Sequence, residues 1–276
     1  MSYSFVKLKI ANVRTEPSHR AELDTQILRG WPVYVLGTNE KGDWHQIITV
    51  GGIKGYIESG ALVASNEEEF AMWLAAPKQI LAQTYGHYLS GSLAIIRNAS
   101  QQFTELIFPD RVFLELEKPN LVPLETTYNP AHIVAQAQQY LGVQYLWGGI
   151  SELGFDCSGF IQHLFLLQGF VLPRNSGQQA LIGKQVDIAD LQEGDLIFMG
   201  ELENRISHVV LYMNEGAYIH SSAQVIINAI DPAHKAYDAK RKALIQWAKR
   251  YHQSNLLTLA NALEQFSTNT KALNLS

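Results

Sequence analysis

Between residues 4 and 64 the apolar positions come in short runs, as in WPVYVLGT (31–38), DWHQIIT (43–49) and IKGYIES (53–59), separated by NEKGD and VGG. Alternation with a period of two, bounded by glycine and polar turn residues, predicts strands. Their close spacing fits a small all-β barrel. At SNEEEFAMWLAA (65–76) the period lengthens to that of a short helix, opened by a capping residue and stopped before Pro77. A second strand-rich block, with GSLAIIR and RVFLELE, runs to about residue 118. KPNLVPLETTYNP (118–130) carries three prolines in 13 residues without periodicity and reads as a linker.

Beyond the linker the pattern changes. AHIVAQAQQYL (131–141) is helical, with Gly142 to end it. From Cys157 to Gln168 the apolar residues Phe160, Ile161, Leu164, Phe165 and Leu167 predict a second helix, stopped by Gly169. Strands follow at DLIFM (195–199), HVVLYM (208–213), AYIHSS (217–222) and VIINAI (225–230). Ala233 to about His252 reads as an amphipathic helix, and the last two dozen residues as a weak helix with a polar end. Helices followed by strands in one block predict an α+β domain. The fold class is thus α+β, divided into a barrel at 1–65, a β-rich block at 66–120, a mixed domain at 125–252 and an extension at 253–276.

Composition narrows the function. A chain of 276 residues that is 47% hydrophobic can fill its cores without staples. The first residues lack a basic segment followed by an apolar run, and no stretch approaches the ~20 apolar residues of a membrane span. The default expectation is a cytoplasmic monomer. A net charge of −5 with no block of Lys and Arg gives no footprint for nucleic acid or an anionic membrane. A small molecule or peptide is the expected partner.

The single cysteine, Cys157, cannot form an internal disulfide, which leaves a core residue, a regulatory thiol, an intermolecular link or a nucleophile. A helix starting there would place its thiol at the positive end of the macrodipole, where a thiolate is favoured. A base is also needed. In HVVLYMNEGAYIH two strands flank an Asn-Glu-Gly turn, and a hairpin turning near residue 214 brings His208 and His220 side by side, within a register step. A base oriented by a second polar group is the arrangement that activates cysteine nucleophiles. A buried, inert cysteine with two chance strand histidines remains open. One cysteine and two distant histidines lack the close ligand pairs of structural zinc sites, so neither a metal nor a cofactor is expected.

YLWGGISELGFDCSGFIQHLF, PRNSGQQ, LQEGDLIFM, ISHVVLYM and YIHSS, in that order, resemble the NlpC family of papain-like cysteine peptidases, which cut bacterial cell-wall peptides. IANVRTEP with GDWHQIITVGGIKGYIES resembles the bacterial SH3-like domains often found beside that catalytic domain, and the 66–120 block resembles a second one less closely. The combination is similar to the γ-D-glutamyl-L-diamino-acid endopeptidases of the dipeptidyl-peptidase VI type, which cleave free murein peptides with an unblocked L-alanine. The resemblance implies Cys157 as nucleophile, His208 as base and His220 as orienting residue, with Tyr145 helping to hold the oxyanion. It implies Trp147 and Ser176 as pocket positions, and Asp156 and Ser158 as ligands of the substrate's amino terminus. Glu16 and Tyr56 are where the first SH3-like domain, implied to cap the site, would contribute.

Bland readings stand beside these. Asp156 could be only a helix cap, Glu16 a solvated turn residue, Tyr56 a barrel aromatic and Trp147 core; Asp195 reads as a turn residue opening a strand. The implied reaction is acyl transfer through a thioester. Two buried acids, Glu16 and Asp156, would select a free ammonium, and murein peptide recycling is the expected role. A hydrolase of intact peptidoglycan, a Cys-His acyltransferase or amidase, and a non-catalytic wall-binding module are the rivals.

Overall fold

The alternation in the first 64 residues builds seven strands: β1 (Ser2–Val6), β2 (Ile10–Arg14), β3 (Leu23–Leu28), β4 (Pro32–Thr38), β5 (Trp44–Thr49), β6 (Lys54–Glu58) and β7 (Leu62–Ser65). They form one antiparallel sheet in the order β3-β2-β6-β5-β4-β1-β7 around fully buried Val13, Val33, Tyr34, Ile47 and Ile57. Helix α1 (Glu67–Ala75) follows, its start fixed by a reciprocal pair in which Asn66 accepts from the Glu69 N–H and Glu69 accepts from the Asn66 N–H. Phe70 and Trp73 are its buried face. The computed structural model describes residues 2–273.

The block after α1 is a five-stranded sheet: β8 (Lys78–Leu81), β9 (Leu93–Ala99), β10 (Phe103–Ile107), β11 (Phe113–Glu117) and β12 (Leu121–Pro123), in the order β11-β10-β9-β8-β12. Part of the expected linker is therefore strand. Pro123 is tolerated because β12 is an edge, where a missing N–H leaves no partner unsatisfied. Lys78, buried where β8 begins, donates to the Leu74 and Ala76 carbonyls at the end of α1, and burial lowers its pKa to about 8.

The chain divides into two compact units, one of Met1–Thr126 with Thr258–Ser276 and one of Thr127–Leu257. The carboxy-terminal segment thus belongs with the barrels. Its helix, Leu259–Leu273, buries Leu259, Ala262, Leu263 and Phe266, one stripe at helical spacing. Tyr3 stacks on Phe70 with ring centroids 3.7 Å apart, meets Phe266 edge-on, and its hydroxyl lies 2.7 Å from Thr270 Oγ1. Residues 274–276 of the expected polar end lie outside the described residues.

The second unit opens with α2 (Pro130–Gln138), a two-residue hairpin of β13 (Ile150–Ser151) and β14 (Gly154–Phe155), and α3 (Cys157–Leu166). After β15 (Phe170–Val171) and α4 (Ser176–Gln179) come β16 (Lys184–Val186), β17 (Leu196–Met199), β18 (His208–Tyr212), β19 (Ala217–Ser222), β20 (Gln224–Ala229), α5 (Ala239–Lys242) and β21 (Ile245–Arg250). The main sheet runs β16-β21-β17-β18-β19-β20. Phe160, Ile161, Leu164 and Phe165 of α3 pack in one cluster with Phe198, Val209, Leu211 and Ile219 of the sheet. Asp195 is a buried partner of Arg250, tying the start of β17 to β21.

The helix expected over 233–252 is not formed. Only Ala239–Lys242 is helical, and Ile245–Arg250 is a strand between β16 and β17. Trp247 packs on the α3 side, whereas Ile245 and Ala248 join the cluster on the other face, with a bulge at Phe198/Met199 opposite. A strand with apolar contacts on both faces loses its alternation, so its sequence imitates an amphipathic helix.

Phe266→Ala removes a ring that is 4% exposed and is expected to destabilise the first unit by about 3–5 kcal/mol, seen as a lower urea midpoint at unchanged slope.

Candidate active site

Cys157 is the first residue of α3, and Asp156 is its N-cap. The Asp156 carboxylate accepts from the Gly159 N–H at 2.7 Å, the Ser158 hydroxyl at 3.2 Å and the Gly148 N–H at 2.9 Å, and Arg174 closes on both its oxygens. Arg174 also donates to Ser158 Oγ at 3.0 Å. Gly159 permits the close approach beneath: a Cβ there would lie 2.1 Å from the Gly149 carbonyl oxygen. Gln179, fully buried on α4, donates to the Ser158 and Pro173 carbonyls.

β18 and β19 bring the histidines together, two residues in register from the sequence-based expectation. The turn centres on Glu215 and Gly216, both at positive φ as a type I′ turn requires, with the Ala217 N–H donating to the Asn214 carbonyl. Leu211 therefore faces Ile219, and His208 and His220 are diagonal neighbours on one face. His208 Nε2 and His220 Nδ1 are 2.8 Å apart, and His220 Nε2 lies 2.9 Å from Asn228 Oδ1 on β20. His220 is fully buried and His208 half-buried. The Cys157 thiol donates toward the carbonyl of Ser207, the residue before His208, at 4.0 Å.

The helix N-terminus does not lower the Cys157 pKa as its position suggests. Burial and the Asp156 carboxylate push the thiol up to about 11, against the Ser158 and Val209 N–H groups and Arg174. A helix terminus contributes about 0.3–1 kcal/mol, whereas burial moves a thiol by several times that. Burial, His220 and Arg241 push His208 down to about 3, and burial takes His220 to about 4. Burial thus favours the neutral thiol and the neutral imidazoles over their charged forms. Tyr145, half-buried, has its phenol raised to about 12 by burial, with Cys157 and Asp156 adding to the effect.

The other expected site residues fall in several places. Ser176, buried, begins α4. Trp147 is 61% exposed, which excludes the core reading. Asp156 and Ser158 are engaged by Arg174, so the expectation of an unpaired buried acid waiting for an ammonium is corrected for Asp156: its counter-charge is built in. Glu16 and Tyr56 lie in the first unit, with Glu16 two residues beyond Arg14, which pairs with Tyr56. Glu16 is exposed, and the half-buried Tyr56 hydroxyl accepts from Gln46. Arg174, Gln179 and Asn228 were not singled out in the sequence. Arg174 stands in the quoted PRNS run, and Asn228 lies diagonally opposite His220, which only the register shows. Among the described residues no cluster of His, Cys, Asp and Glu could hold a metal ion, and no helix is long and apolar enough to cross a membrane.

Comparison with known proteins agrees with this geometry. Residues 142–246 match the NlpC/P60 family model and residues 10–63 the bacterial SH3 domain model. The γ-D-glutamyl-L-lysine dipeptidyl-peptidase of Bacillus subtilis is 30% identical over 218 residues, 72% of each chain. The chain belongs to the NlpC/P60 family. It is a cysteine peptidase with an amino-terminal bacterial SH3 domain. Dipeptidyl-peptidase 6 of Lysinibacillus sphaericus is 26% identical over 256 residues, covering 83% of this chain and 92% of that one. An NlpC/P60 family protein from Bacillus cereus shares the fold at a TM-score of 0.78 and 22% identity, over 91% of this chain and 99% of its own.

Two pH dependences follow for this NlpC/P60 peptidase. Alkylation of Cys157 by iodoacetamide in the unliganded protein should rise steeply above pH 8, with no plateau between pH 5 and 7, because the raised thiol is protonated there. His163, buried against the Tyr140 hydroxyl, is also pushed down to about 3 by burial. For a base whose folded pKa is depressed, stability is fully present above the unfolded value of about 6.5 and is lost as pH falls toward the folded value. Stability of the second unit should therefore drop between pH 6.5 and 3, by up to about 1.4 kcal/mol per pH unit for each such histidine, with His163→Gln making the decline shallower. Chemical denaturation at stepped pH measures it.

Proposed function

We propose that the protein hydrolyses the γ-D-glutamyl to L-diamino-acid bond of murein peptides with a free amino-terminal L-alanine, releasing L-Ala-D-Glu in cell-wall peptide recycling. The observation that carries the chemistry is the His208–His220 bond beside a cysteine that opens a helix. The bond chosen is supported by the relatives named as γ-D-glutamyl-L-lysine dipeptidyl-peptidases, similar over 72% of this chain.

In this reading Cys157 Sγ attacks the γ-carbonyl carbon of D-glutamate as His208 takes the thiol proton. The tetrahedral oxygen accepts from the Cys157 backbone N–H and the Tyr145 hydroxyl, whose raised pKa keeps it a donor. The C–N bond then breaks, the diamino acid leaves with the proton from His208, and water hydrolyses the thioester with His208 again as base. His220 holds the His208 ring. Trp147 and Ser176 line the peptide's path, and Asp156, with Arg174, holds Ser158 and the start of α3. Glu16 and Tyr56 keep, as part of this proposal, the role in binding the free amino terminus that the resemblance implies.

L-Ala-γ-D-Glu-L-Lys and its meso-diaminopimelate counterpart, each with free and acetylated amino terminus, test the reading by mass spectrometry. Release of L-Ala-D-Glu from the free peptides alone, abolished in Cys157→Ala, is expected. Equal cleavage of acetylated peptides removes the amine selectivity and returns hydrolysis of intact peptidoglycan; transfer to an added amine that outruns hydrolysis replaces the peptidase by a transferase. Glu16→Gln should lower kcat/KM on the free tripeptide about 10–100-fold, the loss of one charge-assisted hydrogen bond.

A further inference from the structure

His208, His220 and Asn228 stand on three adjacent strands, each one diagonal step from the next. β19 pairs with β20 through Tyr218↔Asn228 and His220↔Ile226, as it pairs with β18 through Leu211↔Ile219 and Tyr212↔Tyr218. The three side chains share a face and make two bonds in series, 2.8 and 2.9 Å long.

The far end of this line is chemically asymmetric. A side-chain amide oxygen only accepts, so His220 Nε2 must carry the hydrogen it shares with Asn228 Oδ1. The amide is held in that orientation by Ala236, whose carbonyl oxygen lies 3.5 Å from Asn228 Nδ2 and also accepts from the Ala229 N–H. Turned over, the amide would set its oxygen against that carbonyl, acceptor to acceptor. With Nε2 protonated, neutral His220 presents a bare Nδ1 to His208. His208 must then donate through Nε2, which leaves its own Nδ1 with the free lone pair.

We propose that Asn228 is a positioning residue that sets the tautomers of both histidines, and so makes Nδ1 of His208 the atom that accepts the Cys157 proton. The inference rests on the proposed roles of Cys157 and His208. When the proton moves from Sγ to Nδ1, the resulting imidazolium keeps its Nε2–H on His220 Nδ1, and no second proton has to travel. The charged groups near His220 act through space. Arg241, bonded to Ser222 Oγ and paired with Asp238 at 3.3 Å, disfavours the protonated ring, and Asp238 favours it.

The test uses the full chain labelled with ¹⁵N-histidine. Long-range ¹H–¹⁵N spectra at pH 7.5 are expected to show both His208 and His220 as the Nε2–H tautomer. Asn228→Leu, nearly isosteric but without the acceptor, should admit the Nδ1–H form of His220, slow iodoacetamide alkylation of Cys157 at pH 8 about tenfold, and lower kcat 10–100-fold with KM within twofold. Asn228→Asp, which keeps the acceptor, should restore the Nε2–H tautomer and most of the alkylation rate. Nδ1–H at His220 in the wild type overturns the proposal. So does Asn228→Leu with unchanged tautomers and unchanged alkylation, which would leave Asn228 a packing residue. Should Asn228→Leu fail to fold, the wild-type spectrum and Asn228→Ala, which also lacks the acceptor, decide in the same way. Spectra and alkylation need no peptide, so failure of the wild type to cut the murein peptides would sink the substrate assignment while leaving this one to be judged separately.

Discussion

The catalytic end of the chain depends on how one carboxylate is shared. Asp156 caps α3, draws in the Gly148 N–H from the preceding loop, and takes the Arg174 guanidinium from the segment that leads into α4. Three stretches of chain are thereby fastened at the residue before Cys157. Both partners are buried, and removing one member of such a pair costs about 3–5 kcal/mol because the other is left charged and dry. The same carboxylate pushes the Cys157 thiol up while Arg174 pulls it down, so a single ion pair sets both where the sulfur sits and how readily it ionises.

Burial sets the state of the site. The Cys157 thiol and the His208 imidazole sit by a sheet whose Val209, Leu211 and Ile219 are fully enclosed, and burial favours the neutral form of both. A thiol and a base of that kind exchange a proton only when a developing negative charge elsewhere is stabilised. In the proposed reaction, proton transfer from Cys157 to His208 would accompany attack on the substrate carbonyl. At this end Trp147 is exposed and Tyr145, like His208, half-buried.

Much of this was legible in the sequence because it is local. The strands of the first barrel, a capped helix within 65–76, the start of α3 at Cys157 and the hairpin carrying both histidines follow from short-range periodicity and turn chemistry. What escaped depends on distant partners. Leu121–Pro123 is a strand because β8 offers it an edge, and Ile245–Arg250 is a strand because β16 and β17 flank it on both sides. The histidine pairing was placed two residues off because the positive-φ pair Glu215-Gly216 shifts the hairpin's centre. Arg174 and Asn228 were invisible as site residues for the same reason: each matters only for the residue it meets, 18 and 8 positions away. The helix-terminus argument for a lowered thiol pKa failed because burial is the larger effect.

The packing of Phe266 and Thr270 on Tyr3 and Phe70 has a temporal side. Tyr3 and Thr270 are 267 positions apart, and the entire second unit lies between the two pieces of the first. On a ribosome adding roughly 5–20 residues per second, the amino-terminal barrel would emerge on the order of ten seconds or more before the helix that covers its aromatic face. During that interval Tyr3 and Phe70 lack their last neighbour, and the barrel must persist as an unfinished intermediate. The first unit to begin folding is the last to be completed.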